Sequence, residues 1–163
     1  MGTRDLVERI SKLARARMAA GPVVQISDAK SLKNKKTPTL LIVEDDESVR
    51  RSLQRIIEGL NFRVLAARDG VELSEVFGDV LVDLVVLDVG LPWVNGYELA
   101  QMMKEDDALK SVPILFISGS NDVGAMKKGF EVGAHDYITK PFDVKTVQKT
   151  ICALLELSGA FDI

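Results

Sequence analysis

Residues 84–92 read LVVLDVGLP, an apolar run of four residues that ends on the carboxylate of Asp88. A continuous apolar run of this length is typical of a parallel strand that is covered on both faces. Gly90 and Pro92 then end the strand. An Asp at the carboxyl end of a central parallel strand lies at the mouth of the crevice where open α/β sheets bind ligands. Taken alone, Asp88 is equally consistent with a residue that only caps a turn.

The alternation of apolar strands and amphipathic helices continues on both sides of this stretch. Strands are predicted at 39–43, 61–66, 84–87, 114–117 and 137–139, and helices at 48–60, 70–77, 96–104, 122–132 and 143–157. In the last helix, the residues expected to face inward are Val144, Val147, Ile151, Leu154 and Leu155. Five strand–helix units predict a parallel sheet with helices on both faces, joined by right-handed crossovers.

Polar side chains with reactive groups follow four of these strands. They are Glu44 and Asp45 after the first strand, Asp88 after the third, Ser118 after the fourth and Lys140 after the fifth. Because parallel strands point the same way, these ends meet at one edge of the sheet. Carboxylates crowded there repel one another, and an oxygen-rich site of this kind suits Mg²⁺.

A hydroxyl and an ammonium beside such a metal suit the oxygens of a phosphoryl group. Asp88 is then the expected nucleophile, because a carboxylate can form an acyl phosphate. The alternative, that each residue is an unrelated cap or turn, requires several coincidences at one edge.

Four segments of the chain also resemble a known family. They read VEDD at 43–46, LDVGLP at 87–92 with Asn95-Gly96, IS at 117–118, and DYITKPF at 136–142. In this order and spacing they are similar to the receiver domain of two-component response regulators, over residues 38–158. The resemblance implies an α/β, flavodoxin-like (βα)₅ fold, a doubly wound parallel sheet with strand order 2-1-3-4-5.

The resemblance also implies a phosphoryl acceptor and a metal site. Asp88 would accept a phosphoryl group from the phosphohistidine of a sensor kinase. Mg²⁺ would be held by Asp45, by Asp88 and by the backbone carbonyl of Gly90, with Glu44 acting through water.

Further implied roles concern the phosphoryl group and the response to it. Lys140 would pair with the phosphoryl group, and the Lys140–Pro141 bond would be cis. Ser118 would donate its hydroxyl to the phosphoryl group, and Tyr137 would turn into the space that Ser118 leaves. The switching surface would comprise residues 122–132, 137–139 and 143–157.

Composition limits the remaining functions. The chain has 163 residues, 47% of them hydrophobic, and a single cysteine, Cys152, which excludes an intramolecular disulfide and a CxxC motif. No apolar run approaches the length of a membrane span, and the N-terminus lacks a signal-peptide core, so a cytoplasmic location is expected. Residues 1–36 carry nine basic and three acidic residues, whereas residues 37–163 carry twelve and twenty-one. This asymmetry indicates segments with different roles.

The N-terminal segment, residues 1–37, is predicted to be a basic helix followed by a linker. Residues 3–20 carry an apolar stripe at helical spacing, made of Leu6, Val7, Ile10, Leu13, Ala14 and Met18. The stripe is consistent with membrane contact, with docking to a partner, with packing on its own domain or a second copy, or with a connector from a longer protein. Residues 23–26 suggest a short extended piece, and residues 27–38 have linker composition. A receiver domain at 38–158 and a tail at 159–163 complete the predicted organisation.

Several functional classes remain to be compared. The favoured hypothesis is a stand-alone phosphorylation switch that catalyses only its own phosphorylation and dephosphorylation. Its partners would be a sensor histidine kinase or a histidine phosphotransfer protein, a downstream protein target and, as a further candidate, a second copy in a homodimer. The alternative is a receiver excised from a hybrid histidine kinase or a larger response regulator.

Two other classes fit the sequence poorly. A phosphatase of the haloacid dehalogenase type needs a second Asp two positions after the nucleophile, where this chain has Gly90. Direct DNA binding is not expected, because the domain is acidic and no helix-turn-helix follows it.

Overall fold

A computed structural model describes residues 2–20, 37–120 and 122–160. Five parallel strands form one sheet in the order β2-β1-β3-β4-β5, which confirms the predicted flavodoxin-like topology. The strands are β1 (Thr39–Val43), β2 (Arg63–Ala67), β3 (Leu84–Asp88), β4 (Ile114–Ser118) and β5 (Asp136–Thr139). The central strand of the sheet is therefore the one that ends on Asp88.

Five helices alternate with the strands, and a further helix precedes them. The helices are α1 (Thr3–Ala20), α2 (Glu47–Glu58), α3 (Gly70–Asp79), α4 (Gly96–Glu105), α5 (Val123–Glu131) and α6 (Val144–Leu157). Each of the five later helices begins at an Asp or Asn whose side chain accepts a backbone N–H of the first turn. β2 begins two residues later than predicted, because Asn61 has a φ of 60° and belongs to the turn after α2.

The core consists of two apolar layers, one on each face of the sheet. One layer lies between the sheet and helices α2 and α6, and includes Leu40 and Ile42 of β1. The other lies under α3 and α4, and includes Leu41 and Val43 of the same strand. Successive residues of β1 thus enter opposite layers, as expected for a strand buried on both faces.

Helix α1 adds a further layer outside α3 and α4. Leu6, Val7, Ile10 and Ala14 are buried in the same core cluster as α3 and α4. The sequence left several partners open for the apolar stripe of α1. In the structure, the stripe packs on the protein's own domain. Met18, predicted to belong to the stripe, is 50% exposed. The docked stripe is therefore not available for membrane contact.

One further prediction from the sequence is wrong, and another concerns residues that the structure does not describe. Val144, predicted to face inward, is 51% exposed, because it directly follows the N-cap Asp143 on the outer side of the first turn of α6. The extended piece at 23–26 and most of the linker at 27–38 lie outside the described residues. Across the helices that the structure describes, none is long and apolar enough to cross a lipid bilayer.

Candidate functional site

Three carboxylates meet at the carboxyl edge of the sheet, as the strand ends predict. Glu44 and Asp45 follow β1, and Asp88 is the last residue of β3. One oxygen of each lies within 4.8 Å of the others. Glu44 is 1% exposed and Asp88 7%, whereas Asp45 is exposed. Two nearly buried carboxylates beside an open one need a positive charge to offset their repulsion.

Lys140, after β5, supplies a positive charge at this edge. Its Nζ lies 3.0 Å from Glu44 Oε2 and 3.6 Å from Asp88 Oδ1. Its backbone N–H donates to the carbonyl of Ser118 on the neighbouring strand end, 2.6 Å away. The Lys140–Pro141 peptide bond is cis, as the resemblance implied.

The two members of this ion pair have shifted pKa values. Burial raises the pKa of Glu44, and hydrogen bonds from the Asp46 backbone N–H and from Lys140 only partly counteract it. Burial alone would lower the pKa of Lys140, but the hydrogen bond to Glu44 and the charge of Asp88 outweigh it and raise that pKa. Lys140 therefore stays protonated and positively charged between the two acidic groups.

The loop that follows Asp88 folds back on its carboxylate. Asp88 Oδ1 accepts the backbone N–H of Gly90 at 3.1 Å. At the end of the loop, a Cβ on Gly96 would lie 3.0 Å from the Cα of Val89, so only glycine allows this close approach. Asn95 caps α4 by accepting the N–H groups of its first turn. The site loop is thus fixed at both of its ends.

The predicted hydroxyl and aromatic residues lie on β4 and β5, next to the carboxylates. Ser118 is buried, and its Oγ accepts the N–H of Ser120 at 3.1 Å. Tyr137 is only 6% exposed, and its hydroxyl donates to the carbonyl of Ser120 at 3.2 Å. Tyr137 therefore already lies in an inward position, and Ser120 connects it to Ser118.

Sequence reasoning missed the aromatic residues that surround Tyr137. The Phe116 ring lies edge-on between Tyr97 and Tyr137, with centroids 5.4 and 6.3 Å away. The Tyr97 hydroxyl donates to the carbonyl of Ala125 on α5. Burial and the nearby Tyr137 hydroxyl raise the pKa of Tyr97 to about 12. Phe116 pairs with Tyr137 across β4 and β5, and the predicted strands alone did not give this register.

The donor set at the sheet edge fits a hard divalent cation. The three carboxylates offer oxygen ligands only, and one ligand atom of each lies within 4.8 Å of the others. Oxygen ligands with room for water on the exposed side, at Asp45, are what Mg²⁺ prefers. The acidic cluster of the receiver-type site is therefore present in this chain.

A family model describes the same part of the chain. Residues 40–152 match the response regulator receiver domain. The chain belongs to this family. Receiver domains are signalling domains of two-component response regulators, so the resemblance of the sequence motifs is confirmed. The match begins after α1, which is an addition to the region that the family model covers.

Curated relatives with similar sequences are longer regulators. ArcA, the aerobic respiration control protein of Escherichia coli, is 37% identical over 107 residues, which are 66% of this chain and 44% of ArcA. PhoB, the phosphate regulon transcriptional regulatory protein of Pseudomonas aeruginosa, is 33% identical over 124 residues, which are 76% of this chain and 54% of PhoB. The chain thus spans about half the length of these relatives.

Solved structures of receivers have the same fold. A putative response regulator from Chloroflexus aurantiacus is 34% identical with a TM-score of 0.69, covering 74% of this chain and 99% of the other. The chemotaxis response regulator CheY4 of Vibrio cholerae is 25% identical with a TM-score of 0.67, covering 73% and 99%. The BeF3-activated DrrB receiver domain is 29% identical with a TM-score of 0.66, covering 74% and 99%.

Proposed function

We propose that this chain is a phosphorylation switch that accepts a phosphoryl group on Asp88 from the phosphohistidine of a sensor histidine kinase or a histidine phosphotransfer protein. The position of Asp88 supports this function most directly. It is a nearly buried carboxylate at the end of the central strand, with the ammonium of Lys140 3.6 Å from its Oδ1. A carboxylate placed beside a cation is suited to attack a group that carries several anionic oxygens.

The transfer forms one bond and breaks one. An oxygen of the Asp88 carboxylate attacks the phosphorus atom, a P–O bond forms, and the P–N bond to the donor imidazole breaks with its electron pair leaving on nitrogen. Lys140 and the hydroxyl of Ser118 bind phosphoryl oxygens and stabilise their charge. Water later hydrolyses the acyl phosphate and restores the carboxylate, so the chain acts only on its own phosphorylation state.

Mg²⁺ would be held by the carboxylates of Asp45 and Asp88 and by the carbonyl of Gly90. Both oxygens of Glu44 already accept a hydrogen bond, one from Asp46 and one from Lys140, which favours a role for Glu44 through water. A bound Mg²⁺ would offset negative charge on the phosphoryl group and its acceptor.

The switch would act through Ser118 and Tyr137. Ser118 Oγ accepts the N–H of Ser120, and the carbonyl of Ser120 accepts the Tyr137 hydroxyl. A Ser118 hydroxyl turned toward a phosphoryl group would therefore alter the loop residue that holds Tyr137. This is a two-state element that a new charge can bias.

The output surface is proposed to be α5, β5 and α6. Val123, Phe130 and Val144 expose apolar side chains on it. Exposed apolar side chains next to a switch favour contact with a protein, either a downstream target or a second copy in a homodimer. Because residues 37–163 are acidic, we propose a protein partner rather than DNA.

The organisation of the whole protein has a second candidate. The match covers only about half the length of these relatives, which favours a receiver that belongs to a larger response regulator or hybrid kinase. A stand-alone receiver remains the first proposal. The division into 1–37, 38–158 and 159–163 stays a prediction in both cases.

Acetyl phosphate can test the proposed function without the natural kinase. In the presence of Mg²⁺, the wild-type chain should gain one phosphoryl group that hydroxylamine removes. Asp88→Asn should gain none, whereas Asp79→Asn, which changes the same charge at the exposed end of α3, should label like wild type. Equal labelling of wild type and Asp88→Asn would exclude Asp88 as the acceptor.

A further inference from the structure

The first turn of α1 borders the loop that follows Asp88. Leu6 and Trp93 both lie against Gly70, where a Cβ would be 3.5 Å from Leu6 Cδ1 and 3.7 Å from Trp93 Cζ3. Thr3, Leu6 and Trp93 line one cavity of about 210 Å³. Thr3 Oγ1 also donates to Glu98 in the first turn of α4, at 3.2 Å. α1 therefore borders both the loop and the helix into which the loop leads.

The other end of this loop belongs to the proposed acceptor site. The N–H of Gly90 donates to Asp88 Oδ1, and the carbonyl of Gly90 is a proposed metal ligand. Between the two ends, Leu91 and Val94 are buried in the same core cluster as Leu6. Residues 89–95 thus begin at a hydrogen bond to Asp88 and, further along, lie beside the first turn of α1.

This arrangement is an addition to the receiver fold. The family match begins at residue 40, and α1 ends at Ala20. Four residues of α1 that carry its apolar stripe are buried against the receiver, so the helix is part of the folded domain. Helix α1 is packed next to the loop that follows Asp88, but it lies outside the region that the family model matches. It can therefore influence the Asp88 site in a way that the family match does not describe.

Resting on the proposed function, we infer that α1 is a positioning element of the Asp88 site. Leu6, in the first turn of α1, acts on Trp93 of the β3–α4 loop. The turn thereby holds this loop in the arrangement that binds Mg²⁺ and accepts the phosphoryl group. Without this support the loop must become ordered when the ligand binds, and that ordering opposes binding. Because coupling is reciprocal, ligands at Asp88 also tighten the docking of α1.

Two leucine variants of the full chain separate positioning from general stabilisation. Leu6→Ala removes side-chain carbons next to the loop. Leu13→Ala removes the same atoms two turns further along α1, where Leu13 lies against Gly78. Both variants should lower the free energy of unfolding. Only Leu6→Ala should weaken the binding of Mg²⁺ and fluoroberyllate, by about fivefold or more, while Leu13→Ala should stay within about twofold of wild type.

The binding measurements use the chain's own probe. Trp93 is the single tryptophan, so its emission reports the loop, and calorimetry gives an independent dissociation constant. Hydrogen exchange of the α1 amides should slow when fluoroberyllate is added to wild type. A helix that only stabilises the fold would not change its exchange relative to the rest of the domain.

Two results would overturn the inference. One is that wild type and Leu6→Ala bind Mg²⁺ and fluoroberyllate with equal affinity, and the other is that Leu6→Ala and Leu13→Ala weaken this binding equally. If Leu6→Ala does not fold, Leu6→Val and Leu13→Val are compared by the same criterion. If wild type itself shows no Mg²⁺ or fluoroberyllate binding that Asp88→Asn removes, the proposed function fails, and the inference fails with it.

Discussion

Lys140 lies closer to Glu44 than to the proposed acceptor Asp88, at 3.0 Å from Glu44 Oε2 against 3.6 Å from Asp88 Oδ1. Before phosphorylation, the ammonium therefore stabilises a carboxylate that is almost completely removed from water. A phosphoryl group on Asp88 would present further anionic oxygens to the same ammonium. The Lys140–Glu44 pair thus links the metal side of the site to its phosphoryl side.

Burial of Glu44 predicts an unusual dependence of stability on pH. Because burial raises its pKa above the ordinary value of 4.5, the folded protein holds a proton on Glu44 where the unfolded chain has released it. The free energy of unfolding therefore falls as pH rises through that window. Glu44→Gln lacks this titration. In EDTA, wild type should gain stability relative to Glu44→Gln as the pH falls from neutral toward the ordinary pKa of 4.5, as measured by urea denaturation.

The comparison of wild type with Glu44→Gln can also contradict the prediction. A difference between wild type and Glu44→Gln that is constant over this range, or that moves toward the variant on acidification, would contradict the raised pKa of Glu44.

Magnesium should stabilise the folded protein by mass action. At a Mg²⁺ concentration ten times the dissociation constant, the gain is about 1.4 kcal/mol. Asp45→Asn should remove most of this gain, because it takes one oxygen ligand from the cluster. Glu75→Gln, which neutralises an exposed carboxylate on α3, should retain it. Thermal denaturation with and without Mg²⁺ measures the effect, and an unchanged Tm in wild type would argue against the site.

The packing of Tyr137 depends on a glycine in α5. A Cβ on Gly129 would lie 3.0 Å from Tyr137 Cδ2 and 3.2 Å from Phe116 Cδ2. Gly129→Ala should therefore lower the free energy of unfolding by about 1–3 kcal/mol, despite the better helix propensity of alanine. Gly124→Ala is the matched control, since its Cβ would make an ordinary contact of 3.4 Å with Asp122. It should be neutral or stabilising by up to about 1 kcal/mol. Equal effects of the two variants would show that Tyr137 is free to move aside.

Much of the fold was predictable because its strands are apolar runs that end on polar residues. The same regularity located Glu44, Asp45, Asp88 and Lys140, since parallel strands bring their ends together whatever the loop details. The chemistry of the residues suggested a magnesium site with Asp88 as nucleophile, the family resemblance added the more detailed roles, and all of these roles stay predictions.

Other features depend on three-dimensional packing that the sequence pattern does not contain. The apolar stripe of α1 predicts that one face of the helix packs against an apolar surface. The sequence does not show which surface this is, because several fit such a stripe equally well. The cluster of Tyr97, Phe116 and Tyr137 requires the register of β4 against β5 and the position of α4. Val144 was misassigned because an apolar residue in a first helical turn can lie outside the stripe that faces the core.

The acyl phosphate is predicted to be long-lived. In receivers, the side chains two residues after the acceptor and two after the hydroxyl residue help to position the attacking water, and here these are Gly90 and Ser120. Neither supplies a carboxylate or an amide. Gly90→Asn combined with Ser120→Glu should speed autodephosphorylation about tenfold or more. There is room for the asparagine, since the nearest atom to a Cβ on Gly90 is Asp88 Oδ1 at 3.8 Å.

A control is needed because Ser120 Oγ accepts the N–H of Asp122. Ser120→Ala loses this hydrogen bond without adding a carboxylate, so it isolates the effect of the loop from that of the new side chain. Loss of phosphate is followed in Mg²⁺ without a kinase. If the double variant loses phosphate no faster than Ser120→Ala, water positioning does not set the lifetime.

The most direct test of the central claim is to map the phosphorylated residue. The full chain is treated with acetyl phosphate and Mg²⁺, then reduced with sodium borohydride, which converts an aspartyl phosphate into homoserine. Mass spectrometry of the digested protein identifies where homoserine appears. We predict homoserine at position 88 in a yield that falls to background without Mg²⁺. Homoserine at position 45 or another carboxylate, or none in a protein that binds Mg²⁺, would contradict the assignment of Asp88 as the phosphoryl acceptor.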